Sequence, residues 1–194
     1  MTFRRTLCPH CRTKLHGHHR IHPDCIEPWA EAQAAKKERE EAKRARAAAK
    51  VDRAETKRRK EAIKTIPELT REAQIAFNAF IRARDQAAGY PCISSGRPLD
   101  WSGNAVDAGH YRSTGAAPHL RFNEDNCHAQ SKFDNQWRAG NVVDYRIKLI
   151  ERIGLERVEA LEANNQVRKW TRQELIEIRD KYRAKTNELK KERA

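Results

Sequence analysis

The sequence predicts an α+β protein: a small β element set among helices, preceded by a long charged helix and an N-terminal Cys/His segment. Three observations lead there. Apolar residues recur at steps of three and four over much of residues 66–194. Prolines and glycines punctuate short runs of β character between residues 90 and 127. Residues 28–65 consist almost entirely of Ala, Glu, Lys and Arg, with Val51 and Ile63 as the only aliphatic side chains larger than alanine. The boundaries that follow are 1–27, 28–65 and 66–194.

In residues 1–27, Cys8-Pro-His-Cys11 is followed by His22-Pro-Asp-Cys25. Two ligand pairs, each with a two-residue gap, suit a tetrahedral Zn²⁺, because a tight turn brings both members of a pair to the same side of the ion. A segment this short has too little core to fold alone, so a bound metal would supply its folding energy. The expected ligands are Cys8, Cys11, His22 and Cys25, with His10, His16, His18 and His19 as competitors for the fourth place. The role expected of this knuckle is contact with DNA or protein, not chemistry.

Residues 28–65 combine strong helix formers with opposite charges three and four positions apart. A solvated helical spacer is the leading expectation. A basic arm contacting DNA through Lys57, Arg58, Arg59 and Lys60 is compatible with it, and a disordered tether is the remaining alternative. Beyond it, Pro67 opens a helix whose apolar face carries Leu69, Ala73, Phe77, Phe80 and Ile81 and which Gly89 stops. The runs AVDAGHYR and HLRFN read as β-like. Helices are expected at 142–153, ended by Gly154, and at 155–163, ended by Asn164 and Asn165. A last helix starts at Thr171, where Thr171 and Glu174 form a capping box, and carries Leu175, Ile178, Tyr182 and Leu189 on one side.

The chain has 194 residues, enough for one domain plus appendages. Lys and Arg total 40 against 27 Asp and Glu, a net charge of +13 that favours a polyanionic partner. No apolar run of about 18 residues is present to span a membrane. The N-terminus lacks the apolar run of a secretory signal, so a reducing cytoplasm is the expected compartment. Five cysteines there argue for metal ligands or free thiols over disulfides.

The segment richest in chemistry runs from Asp107-Ala-Gly-His110-Tyr-Arg112 through Leu120-Arg121-Phe122-Asn123 and Asn126 to Asp134-Asn135. Hydrolysis of a phosphodiester with one divalent ion needs a base for water and an oxygen-ligated cation beside the leaving oxygen. A neutral imidazole suits the first task, and carboxylate and amide oxygens suit Mg²⁺ or Mn²⁺ for the second.

From about Ile66 onward the chain resembles the phage NinG family of recombination nucleases. The resemblance is carried by AFNAFIRARD, PCISSG, DAGHYRSTGAAPHLRFNEDN, Ala139-Gly-Asn141 and RKWT. It implies a ββα-metal (His-Asn-His-like) nuclease core, cutting branched recombination intermediates such as Holliday junctions and D-loops. His110 would be the general base and Asn135 a metal ligand. Asp107 would be the acidic ligand, although such nucleases place that carboxylate directly before the base, where Gly109 stands here. Asn126 would hold the loop bearing His110, and Arg112 and Arg121 would contact phosphate. Family members carry a second zinc site of two Cys-x-x-Cys pairs. Here the corresponding residues are Cys92 and Ser95, then Ser131 and Asp134, so no zinc is expected and Phe133 and Trp137 are the candidate anchors instead. Cys127 lies outside the pattern and reads as a small buried residue. Two-strand cutting favours a homodimer, formed through the charged helix or the apolar stripe of the last helix. The competing reading is a DNA-binding recombination accessory without catalysis.

Overall fold

Residues 6–192 are described by the computed structural model, and the chain divides between Ile63 and Lys64 into two units. In the first, a short turn around Cys8–Cys11 leads into helix α1, Ile26–Ile63. No side chain of α1 is buried. Its helicity therefore comes from propensity and from pairs such as Arg59 with Glu55, four residues apart, at 2.5 Å.

The second unit opens with α2, Ile66–Ala87, capped by Thr65. The Thr65 hydroxyl accepts from the Glu68 N–H while the Glu68 carboxylate accepts from the Thr65 N–H, a capping box that places the start one residue before Pro67. Two strands follow, β1 (Val106–His110) and β2 (Cys127–Ser131), antiparallel, with Val106 opposite Ser131 and His110 opposite Cys127. A single π-helical turn, Phe133–Trp137, comes next. It leads to α3 (Val142–Ile153), α4 (Leu155–Ala163) and α5 (Arg172–Glu192).

The two strands separate two apolar clusters. On one side Ala108 and Cys127 join Phe77 and Ile81 of α2 and Leu175 and Tyr182 of α5. On the other, Tyr145 and Leu149 of α3 pack with Ile93, Leu120, Val158 and Leu161. Side chains alternate along a strand, so Val106, Ala108 and His110 face α2, and Asp107 and Gly109 face the α3 side. The apolar stripe of α5, an expected dimer surface, is thus used within the chain against α2.

Three expectations about this region are corrected. HLRFN is not a strand: Pro118–Leu120 is a 3₁₀ turn, and the Asn123 side chain accepts from the Asp125 N–H at 2.8 Å to hold a second turn. The second strand is CHAQS, which has no β-branched residue. It is extended because its backbone is claimed from outside the hairpin: Ala129 donates to the buried Asp85 carboxylate at 2.6 Å and accepts from the Ile93 N–H at 3.1 Å. The helix expected to present Asn135 lasts one turn, because Ala139, Gly140 and Asn141 all take left-handed backbone angles (φ 50°, 81° and 46°).

Candidate metal centre and hairpin site

Among the described residues, one cluster can hold a metal ion: the ligand atoms of Cys8, Cys11, His22 and Cys25 all lie within 4.8 Å of one another. A zinc tetrahedron with Zn–S of about 2.3 Å has edges of about 3.8 Å, so the spacing fits. Hydrogen bonds from Cys8 N to Thr13 O (2.8 Å) and from Arg12 N to Cys8 O (3.1 Å) close the first turn, with Arg12 left-handed at φ 64°. His22 turns Nδ1 to Cys11 Sγ at 3.3 Å and Nε2 to the Lys14 carbonyl at 3.3 Å, an arrangement that fixes the ring as an Nδ1 ligand. Burial raises the Cys8 thiol, but backbone hydrogen bonds from His22, Cys11 and His10 outweigh it and bring it down to about 6. Cys25, desolvated and beside the other two sulfurs, is pushed up to about 11. Three sulfurs this close cannot ionise together without a cation between them. Elemental analysis of the purified chain should find one zinc equivalent, lost in Cys25→Ser; two equivalents would show a second site.

In the second unit, Asp107 and Asn135, 28 positions apart, meet on the α3 side of the hairpin. Asp107 Oδ2 accepts from Asn135 Nδ2 at 3.0 Å and from Gln136 Nε2 at 2.9 Å. Gln136 carries no sequence signal beyond its place next to Asn135. His110 is not brought to this pair. It lies on the opposite face, its ring 6.1 Å from that of Phe77, with Nε2 2.9 Å from the Arg121 carbonyl and Nδ1 3.7 Å from Cys127 Sγ. The expected convergence of His110 with Asp107 and Asn135 is corrected accordingly: three steps along a strand reverse the face and add about 10 Å. Burial lowers the His110 pKa, so the ring is neutral near pH 7.

Gly109 has a steric reason. A Cβ there would stand 2.0 Å from Gln130 Oε1, whose amide folds over the glycine and donates to Ser94 Oγ and the Gly140 carbonyl, each at 2.6 Å. A carboxylate beside the histidine would collide with this amide.

Asn126 is fully buried. It accepts from the Arg112 N–H at 2.8 Å and donates to the Arg112 and Leu120 carbonyls at 3.0 and 3.3 Å, tying the segment after β1 to the turn before β2. Arg112, expected on phosphate, is committed elsewhere: its guanidinium donates to the carbonyls of Leu161, Glu162 and Asn164 and to Asn165 Oδ1, capping the end of α4. Arg121 donates to Gln74 Oε1 at 3.2 Å and the Thr114 carbonyl at 3.4 Å, and both acceptors are neutral.

The positions of the second Cys-x-x-Cys set still converge, through hydrogen bonds. Ser131 Oγ donates to Asp134 Oδ2 at 2.7 Å, Cys92 Sγ donates to the same oxygen at 3.4 Å, and the Asp134 N–H donates to Ser131 Oγ at 3.1 Å. Burial raises the Asp134 carboxyl, but hydrogen bonds from Ser131, Ser95 and Cys92 hold it below its usual value. This cluster anchors the turn bearing Asn135. Phe133 and Trp137, the expected anchors, are 63% and 79% exposed.

Comparison with known proteins places this chain in context. The family model "Bacteriophage Lambda NinG protein" matches residues 2–192. Protein ninG of Escherichia phage lambda is 45% identical over 138 residues, covering 70% of this chain and 64% of that protein. Protein ninG of Salmonella phage P22 is 44% identical over 138 residues, with 70% and 64% covered. The chain thus spans a little under two thirds of the length of these relatives. No solved structure matches.

Proposed function

The chain belongs to the bacteriophage NinG family, and from that premise we propose that residues 64–192 are a divalent-metal-dependent endonuclease acting on branched DNA. The observation that carries the reading is the meeting of Asp107 and Asn135 across 28 positions of sequence. The order β1, β2, then a helical turn bearing Asn135 supports a ββα-metal core. Asp107 orients the Asn135 amide through its N–H, which turns the amide oxygen away from the carboxylate as a donor for Mg²⁺ or Mn²⁺. A cation there would neutralise charge on the leaving oxygen. His110 is the candidate base by its chemistry, being neutral and partly exposed where His128, the other hairpin imidazole, is sealed at 3% exposure; to serve a cation held by Asp107 and Asn135 its ring must turn out from the α2 face on which it rests. With Nε2 against the Arg121 carbonyl and Nδ1 toward the buried Cys127 thiol, the same turn of the ring is what would free a nitrogen to accept the proton. The net charge of +13 supports binding through phosphates, with branch selection by shape.

The test is incubation of the full chain with a synthetic four-way junction and Mg²⁺ or Mn²⁺. Nicking that EDTA stops is expected, reduced about 10- to 100-fold in Asn135→Ala with junction binding retained. Binding without nicking in either ion overturns the nuclease reading. A second reading, a DNA-binding recombination accessory, is favoured by one observation: His110 faces α2, away from Asp107 and Asn135.

A further inference from the structure

We propose that one face of α1 is a rail for the phosphate backbone of DNA, a reading that rests on branched DNA as the partner and assigns the surface that grips it. From Lys36 onward, basic residues recur at alternating steps of three and four: Lys36 and Arg39, then Lys43 and Arg46, then Lys50 and Arg53, then Lys57 and Lys60. The four pairs repeat every seven residues with no acidic residue at any of these positions. On a helix with 3.6 residues per turn, a seven-residue repeat drifts about 20° per cycle, so the pairs form a single, slowly winding stripe. Every residue of the stripe is exposed. Glu38, Glu41, Asp52 and Glu55 lie about 100° or more round the helix from it, while Glu40, four positions from Lys36 and three from Lys43, and Glu61, four from Lys57, stand at its edge. The ion pairs formed by Lys37 with Glu41 and by Arg59 with Glu55 use cations off the stripe. Arg39, Arg46, Lys50, Arg53 and Lys60 have no acid three or four positions away, so most of the rail is left un-neutralised, and of the basic cluster near its end Lys57 and Lys60 belong to the rail while Arg58 and Arg59 do not.

The dimensions suit a duplex. Lys36 to Lys60 spans 24 positions, about 36 Å at 1.5 Å per residue, close to one turn of B-DNA at about 34 Å. The spacing is also that of a coiled-coil seam, but a second copy of α1 would bring eight cations against eight, which excludes a homodimer through this face. A polyanion is the occupant the charges fit.

The experiment compares two charge-matched variants of the full chain, with junction binding followed over a salt series in EDTA so that chemistry plays no part. One variant carries Lys43→Gln, Arg46→Gln, Lys50→Gln and Arg53→Gln. The other carries Lys37→Gln, Arg44→Gln, Arg58→Gln and Arg59→Gln. Both lose four positive charges, and glutamine preserves helix propensity, which circular dichroism verifies. Each phosphate contact contributes about 0.9 to the slope of log affinity against log salt, so the first variant should lose about 3–4 from that slope and the second less than about 1. Equal losses would show that net charge alone binds, and an unchanged slope in the first variant would show that α1 does not touch DNA; either overturns the rail. A wild-type chain that binds with a steep slope but never cuts sinks the nuclease reading and leaves the rail standing.

Discussion

If the His110 ring turns from the α2 face to act as the base, replacing it with alanine should slow metal-dependent cleavage of a four-way junction by about 10²–10⁴-fold, the usual contribution of a general base, while junction binding is retained. The imidazole is held neutral by burial, and its Nε2 is fixed against the Arg121 carbonyl. The sign of the pH dependence follows. The base works in its neutral form, and burial lowers its pKa, so the wild-type rate should fall on acidification at a lower pH than it would for an unburied imidazole. The alanine variant should lack that acidic limb. A thermal melt guards against simple unfolding, since the ring packs near Phe77 and Cys127. A variant that cuts at the wild-type rate would remove His110 from the reaction. That outcome would agree with its place on the α2 face and send the search for a base to groups beside Asp107.

Asn126→Ala should produce the largest loss of stability, about 3 kcal/mol, read as a fall of roughly 10 °C in Tm. The side chain is fully buried, and its removal strands the Arg112 N–H and the Arg112 carbonyl, each costing about 1–3 kcal/mol when left unpaired and partly recovered by entering water, while the Leu120 carbonyl keeps the Asn123 N–H. Asn126→Asp keeps the acceptor for the Arg112 N–H but turns a carboxylate oxygen toward the two carbonyls in a fully buried place, so it should be no more stable than the alanine variant. A change below about 2 °C would show that this clamp is not what ties β1 to β2. Because Arg112 also caps α4, loosening this point should release α4 together with the hairpin, visible as faster amide exchange in both.

Much of the helical layout is determined by the sequence alone, because helix signals are local. Residues 142–153, 155–163 and the last helix after Thr171 are marked by their own glycine, asparagine and capping residues, and the structure ends and starts them at these points. The N-terminal ligand set is legible for the same reason: two short turns fix each pair, and only the choice of His22 over its neighbours needed coordinates. The basic stripe on α1 likewise follows from periodicity in an exposed helix. The hairpin site is different. CHAQS is a strand because Asp85 and Ile93 take up its backbone groups, and Gly109 is demanded by an amide 21 positions away. Arg112 is drawn to α4, and the second cysteine set survives as a hydrogen-bonded cluster around Asp134. Residue types announce which groups have chemistry to offer. Whether His110 faces Asp107 and Asn135 or turns from them depends on strand parity and on which cluster packs each face, and those follow from long-range contacts that no local pattern encodes.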